Sequence, residues 1–206
     1  WARTSGSGAK GITCFLVDLG AKGLEIGKPE HKMGLKASHT VPLSLDNVRV
    51  SHEAMLGVEG DGFKIAMVAL DGGRIGISSQ ATGIALAARD RLIERLDPKS
   101  IDQAIEFGIA DIETRIQSGW LLALKAAALK EQGQRFSKEA AMAKVLTTEN
   151  ANKVARDAVE LASYAGLTQD AEQAKLVRDV RVSQIYEGTS EVQRIVIGRS
   201  VLKEGA

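Results

Sequence analysis

The sequence predicts a mostly α-helical fold: an up-and-down four-helix bundle preceded by a partial antiparallel β domain. Up to about residue 56 apolar residues alternate between glycines and prolines, which is strand patterning. From residue 57 onward they recur at steps of three and four, and only Pro98 interrupts as a proline. The change of period predicts two regions, 1–56 and 57–206. Long helices joined by short connections lie antiparallel, which gives the bundle.

Thr13 to Val17, Leu24 to Ile26 and Val41 to Val50 alternate well enough for strands, and Ser5-Gly6-Ser7-Gly8, Asp18-Leu19-Gly20 and Asp46-Asn47 supply turns. So few strands scarcely cover both faces of a sheet. An opening at Trp1 directly before a strand-like run reads as a cut from something longer. Gly57 to Gly62 lacks the Lys and Ser/Thr of a phosphate loop and reads as a hinge. Phe63 to Leu96 has helical spacing, with a bend or break expected at Asp71-Gly72-Gly73. Ile101, Ile105, Ile112, Ile116 and Trp120 form one apolar stripe along a second helix that runs to about Glu131 and ends at Gln132-Gly133. Ser137 is expected to cap a third, with Ala141, Val145, Val154, Ala158, Leu161 and Ala165 inward and a stop near Gly166. Asp170 to Val182 and Ser190 to Leu202 are the last two.

Lys plus Arg number 27 against 26 Asp plus Glu, so no broad field favours nucleic acid or an anionic membrane. Cys14 is the only cysteine, which excludes an internal disulfide, and its place in Ile12-Thr13-Cys14-Phe15 reads as an inert strand thiol in a reducing compartment. No apolar run reaches transmembrane length, and the first residues lack signal-peptide character. These features predict a soluble intracellular protein. His31, His39 and His52 have no neighbouring Cys, Asp or Glu at ligand spacing, so no metal site is expected.

The most informative stretch is Tyr186 to Arg199. Glu187 stands before a glycine and a Thr-Ser helix start, so its carboxylate can point into a cleft while the following backbone N–H groups face whatever binds there. That suits a general base, although the local pattern alone is more often an ordinary loop glutamate.

Taken in order, Lys10-Gly11-Ile12-Thr13-Cys14-Phe15-Leu16-Val17, Lys32-Met33-Gly34-Leu35-Lys36-Ala37-Ser38-His39-Thr40, Gly60-Asp61-Gly62-Phe63-Lys64-Ile65-Ala66-Met67, Leu70-Asp71-Gly72-Gly73-Arg74-Ile75-Gly76-Ile77, Lys138-Glu139-Ala140-Ala141-Met142-Ala143-Lys144 and the Tyr186 to Arg199 run resemble the carboxyl-terminal part of the acyl-CoA dehydrogenases. The resemblance implies that 1–56 is the C-terminal half of the middle β domain and 57–206 the C-terminal helical domain. It implies FAD-dependent conversion of an acyl-CoA thioester to the trans-2-enoyl-CoA, with Glu187 taking the α proton and its backbone N–H binding the thioester oxygen. Phe63, Asp71 and Arg74 would line the route of the pantetheine arm, and Tyr186 and Gly188 would contact substrate. Thr189, Gly166 and, with a poorer charge for phosphate, Glu191 would contact FAD. Some relatives carry the base just before the arginine of Asp71-x-x-Arg74. Here that position is Gly73, which leaves Glu187 without a competitor, as in the short- and medium-chain branch.

The resemblance further implies an electron-transfer flavoprotein as partner, a homodimer or homotetramer (a hetero-oligomer being the alternative), and the bacterial cytoplasm, with the mitochondrial matrix second. Two motifs depart from the family. The turn at Leu96-Asp97-Pro98-Lys99-Ser100 lacks the usual Arg-x-x-Phe-Gly, and Glu160 to Leu167 replaces a Gln-x-x-Gly-Gly-x-Gly-Tyr, with Tyr164 where a glycine is usual. Those losses are what a degenerate, noncatalytic subunit that stabilises a flavin-binding partner would show. A bare helical interaction domain is a remote third reading.

Overall fold

The computed structural model describes residues 1–165 and 171–205. The chain divides into two compact units, one of Trp1–Lys32 and Lys36–Leu70, the other of Met33–Leu35 and the chain from Asp71 on.

The first unit holds short antiparallel strands. β1 (Ala2–Arg3), β2 (Ile12–Phe15) and β5 (Met55–Leu56) form one sheet with β2 central, in the register Ala2 opposite Thr13 and Cys14 opposite Leu56. β3 (Leu24–Ile26) and β4 (Leu43–Leu45) pair separately. The strand expected over Val41 to Val50 is therefore only Leu43–Leu45. Leu43 and Leu45 are both exposed, so burial on one face does not extend the pairing past the turn at Asn47, whose φ is 50°. Buried Thr13 ties the unit together, its hydroxyl 2.7 Å from that of Thr4 and accepting from Gly60 N–H at 3.0 Å.

Helix α1 (Gly62–Arg95) begins in the first unit and continues through the second. The break expected at Asp71-Gly72-Gly73 is absent. A glycine costs a helix about 1 kcal/mol relative to alanine, and burial of Ala81, Ala85, Ala88 and Leu92 along the same helix outweighs it. α2 (Gln103–Glu131) starts on Asp102, whose Oδ1 accepts from Ile105 N–H at 3.0 Å. Ile101 thus stays outside the helix, exposed, while Ile105, Ile112 and Ile116 are buried. The helix closes at Gly133, φ 67°, where Gln134 N–H returns to Leu129 O.

α3 (Ser137–Tyr164) is the central helix, packed on α2, on α4 (Ala171–Val180) and on α5 (Ser190–Glu204). Two of its partners, α2 and α5, run antiparallel to it. Asn150 reaches Arg115 O and a Cβ on Gly108 would strike Leu161; Lys138 meets Glu204 and Arg194 meets Glu149. Ser137 does not cap α3 as expected, because that place falls to Phe136 with no side-chain bond, and the Ser137 hydroxyl donates to Asp71 instead. The predicted helix from Asp170 to Val182 is α4 to Val180 followed by a 3₁₀ turn at Arg181–Gln184; Asp170 itself and Gly166 lie outside the described residues. Leu92, Ile105, Ile112, Val154, Ala158 and Val180 form the centre of the core.

Met33–Leu35 pack into this unit. Leu35 has φ 45°, and its N–H donates to Asp179 Oδ1 at 2.7 Å. A Cβ on Gly34 would overlap the Arg178 carbonyl, so only glycine fits there. Burial pushes the Asp179 carboxyl up, but hydrogen bonds from Lys175 and Leu35 N–H outweigh it and hold the group below the ordinary carboxylate range.

Candidate active site

The turn between the 3₁₀ segment and α5 is built against its own backbone preferences. Glu187 has φ 54° and Gly188 has φ 90°. The left-handed region is easy for glycine but costs a residue with a Cβ about 1 to 2 kcal/mol. Such strain persists only where the surroundings over-determine it. Here Gln193 Nε2 donates to both carbonyls of the turn, Glu187 O at 3.2 Å and Gly188 O at 3.0 Å, and Lys144 Nζ donates to Gly188 O at 2.8 Å. Gln193 and Lys144 are both fully buried. Thr189 follows as N-cap of α5 with φ −58° and ψ 161°, its hydroxyl accepting from Val192 N–H at 3.4 Å.

The turn delivers the half-buried Glu187 carboxylate to Gly73 of α1. A Cβ built on Gly73 would lie 2.9 Å from the Glu187 carboxyl carbon, so a side chain at that position and this placement of the carboxylate exclude one another. No acceptor among the described residues takes the Glu187 N–H.

On either side of Gly73 in α1, Arg74 and Asp71 form an ion pair, and the second Asp71 oxygen accepts from the Ser137 hydroxyl. The pair is not the exposed surface bridge that three-residue spacing usually gives. Arg74 is only 6% exposed, and among the described residues its Nε has no partner. Tyr186, half-buried, donates from its hydroxyl to Gln80 Oε1. Burial pushes this phenol up, the bond to Gln80 pulls it down, and the Glu187 charge adds to the rise. For Lys144, burial and then repulsion from Arg74 draw the ammonium down to about 8, against attraction from Glu187, Glu191 and Glu149.

Of the residues predicted for the site, Asp71, Arg74, Tyr186, Glu187, Gly188, Thr189 and Glu191 all belong to the second unit, and Phe63 to the first, where it is 43% exposed. Glu191 is exposed on the first turn of α5. Its own backbone N–H, then the Thr189 hydroxyl, lower its carboxyl below the usual range, a stabilising place for an acid at a helix start. Residue patterning did not assign Lys144, Gln193 or Gln80 to the site, and it took Ser137 only as a helix cap. The signal for Lys144 was available: it falls in phase with Ala140, Ala141, Ala151, Ala155 and Ala158 on the buried stripe of α3.

Beside the start of α5 is a cavity of about 180 Å³ lined by Thr189, Ser190, Arg181, Arg194 and acidic neighbours. The Ser190 hydroxyl is buried without a partner among the described residues, and a helix N-terminus with an unmet hydroxyl is chemistry that a phosphate satisfies. The region where α2 meets α3 differs. Tyr164 donates from its hydroxyl to Asp102 Oδ2 at 2.7 Å, and the adjacent cleft is lined by Asp111, Asp157 and Glu160. Among the described residues no group of three or more His, Cys, Asp or Glu is placed to hold a metal ion, and no helix is long and apolar enough to cross a membrane.

The sequence matches the family model described as acyl-CoA dehydrogenase, C-terminal domain, over residues 60–202. It is 42% identical over 201 residues to the short-chain specific acyl-CoA dehydrogenase, mitochondrial, of Bos taurus, covering 94% of this chain and 49% of that protein. It is 41% identical over 203 residues to the short-chain specific acyl-CoA dehydrogenase of Megasphaera elsdenii, covering 95% and 53%. The structure superposes on the butyryl-CoA dehydrogenase of Megasphaera elsdenii with a TM-score of 0.89 at 40% identity, covering 95% of this chain and 54% of that one. The chain thus spans about half the length of the relatives it matches, and over that half it belongs to the acyl-CoA dehydrogenase family.

Proposed function

We propose that this chain carries the catalytic base and part of the flavin-binding surface of an FAD-dependent enzyme that converts an acyl-CoA thioester to the trans-2-enoyl-CoA. The observation that carries the reading is the strained Glu187-Gly188 turn, clamped by two buried side chains so that a carboxylate faces the bare Gly73 backbone. The relatives' names favour short acyl chains. In domain terms, 1–56 would be the C-terminal half of a middle β domain and 57–206 the C-terminal helical domain.

Bound FAD would supply the hydride acceptor for the β carbon. Glu187 removes the proton α to the thioester carbonyl. Its N–H, which has no acceptor among the described residues, hydrogen-bonds the thioester oxygen as negative charge grows there. Buried Arg74, fixed by Asp71 and with its Nε unmet among the described residues, orders the polar arm of CoA. Phe63 is kept as a contact to that arm on the resemblance alone, as are Tyr186 and Gly188 toward the acyl group and Gly166 and Glu191 toward FAD. Thr189 and the Ser190 hydroxyl at the start of α5 would hold a cofactor phosphate.

An electron-transferring flavoprotein is the proposed electron acceptor. The support for it is that one solved structure this chain resembles, with a TM-score of 0.89 at 41% identity, is described as an electron transferring flavoprotein of Acidaminococcus fermentans. A homodimer or homotetramer would cover Phe107 and Leu121, exposed on α2. Bacterial cytoplasm is the proposed compartment, with the mitochondrial matrix second; the relatives include proteins of both origins.

A second reading, a noncatalytic subunit that stabilises a flavin-binding partner, is favoured by Tyr164 and the acidic cleft beside it. One experiment separates the two. The intact protein carrying this chain is purified, its visible spectrum recorded alone and with added FAD, and a short-chain acyl-CoA added without oxygen. The first reading expects flavin absorbance and its bleaching, with Glu187→Gln retaining flavin and slowing bleaching by about 10³-fold or more. Absence of flavin even with FAD in excess selects the second.

A further inference from the structure

Lys144 is fully buried in α3, and Gly188 O is the acceptor its ammonium has among the described residues. A buried charge with one neutral partner is costly, and an apolar side chain in phase with Ala140, Ala141 and Ala151 would pack without that cost. We propose that Lys144 is a positioning residue for Glu187: its buried ammonium pins Gly188 O, fixes the left-handed turn, and so holds the Glu187 side chain against Gly73. The inference rests on the reading of Glu187 as the base.

Gln193 clamps the same turn from α5 through both carbonyls, but it is neutral. Lys144 adds charge to the same geometry. The charged groups that face it are Arg74 from α1, Glu187 from the turn, Glu149 from α3 and Glu191 from α5. Burial and Arg74 draw its ammonium down to about 8, so it stays charged at neutral pH while being held at the fold's expense. A group kept under such opposition at a strained turn is more economically explained by what it does to Glu187 than by packing.

The test uses the intact flavin-loaded protein. Reduction of the flavin by acyl-CoA is followed without oxygen at several acyl-CoA concentrations, for the wild type and for Lys144→Met. The limiting rate of reduction falls about 10- to 100-fold, while half-saturation by acyl-CoA changes less than about threefold. Gln193→Met, which removes the other clamp on the same turn, lowers the limiting rate in the same way and likewise spares half-saturation. Lys144→Gln, which keeps a polar donor toward Gly188 O, is made in parallel and recovers part of the rate lost in Lys144→Met.

An unchanged limiting rate in Lys144→Met, a loss that appears only in half-saturation, or failure of both Lys144 variants to fold and retain flavin, overturns the proposal. If Glu187→Gln itself leaves flavin reduction intact, the identity of the base fails. If it abolishes reduction while Lys144→Met leaves the limiting rate unchanged, only the positioning role fails.

Discussion

Two regions of the helical unit close their loops in opposite ways. The turn from Tyr186 to Ser190 keeps a glutamate at φ 54°, buries an ammonium beneath it and leaves the Ser190 hydroxyl without a partner among the described residues. Where α2 meets α3, Asp102 caps one helix through Oδ1 and accepts from Tyr164 of the other through Oδ2, with both side chains in ordinary exposed positions. The first region concentrates strain and unmet polar groups, and the second has spent its groups on itself. A strained turn beside polar groups unmet among the described residues points to a ligand, whereas satisfied groups point to structure.

The largest expected effect tests whether the Lys144 charge is held at a cost. Its folded value of about 8 lies below the ordinary 10.5, so between those values the unfolded chain binds more protons and stability rises with pH. The stability of the wild type minus that of Lys144→Met should therefore grow from pH 8 to pH 10.5 by up to about 3 kcal/mol. Denaturant unfolding at several pH values measures it, and a flat difference would remove the contrast between the two regions.

Next comes Gly73→Ala. Alanine suits the middle of a helix better by about 1 kcal/mol, and the atom it would meet belongs to the far end of the flexible Glu187 side chain. The melting temperature should hold or rise while flavin reduction slows about 10- to 100-fold, because the carboxylate is displaced. A variant that is both less stable and fully active would show that Gly73 serves packing.

Asp179→Asn is expected to cost about 1 kcal/mol at pH 7. Leu35, like Glu187, is left-handed, but its N–H is held by Asp179, so this strain belongs to structure and activity should not change. The Asp179 carboxyl is depressed in the fold, so its stabilisation is present above the ordinary carboxylate value and is lost as pH falls through the folded value. The difference between wild type and variant, followed by thermal unfolding, should vanish in strong acid.

Much of the frame was legible in the sequence. The stripe Ile105, Ile112, Ile116 and the alanine phase of α3 mark two helices because a period near 3.6 puts those residues on one buried face. Asp71-Gly72-Gly73 misleads, since local propensity predicts a break and tertiary packing carries α1 through it. Ser137 misleads in the same manner: a serine at the head of a helical run caps by default, yet here its hydroxyl is taken by Asp71. Glu187 stood out by its motif and by family resemblance. What fixes it did not, because Lys144 and Gln193 lie 43 residues before and 6 after it, and a lysine in an alanine-rich helix is ordinarily a solvated one.

The smallest expected effect belongs to Tyr164→Phe, and it sets the other side of the comparison. The Asp102 carboxyl is depressed first by the Tyr164 hydroxyl and then by Ile105 N–H, and Tyr164 is raised in return. Removing the hydroxyl leaves the Ile105 cap in place and deletes a bond between exposed groups, so the melting temperature should move by less than about 2 °C. Asp102 should titrate nearer the ordinary carboxylate range, which side-chain carboxyl NMR reads directly. FAD titration should be unchanged in Tyr164→Phe, which keeps the ring, and should tighten in Tyr164→Gly, which removes it. A large loss of stability in the phenylalanine variant would mean that Tyr164 is needed to hold α2 against α3; the tyrosine would then be a structural choice, and the acidic cleft beside it would no longer speak for the noncatalytic reading.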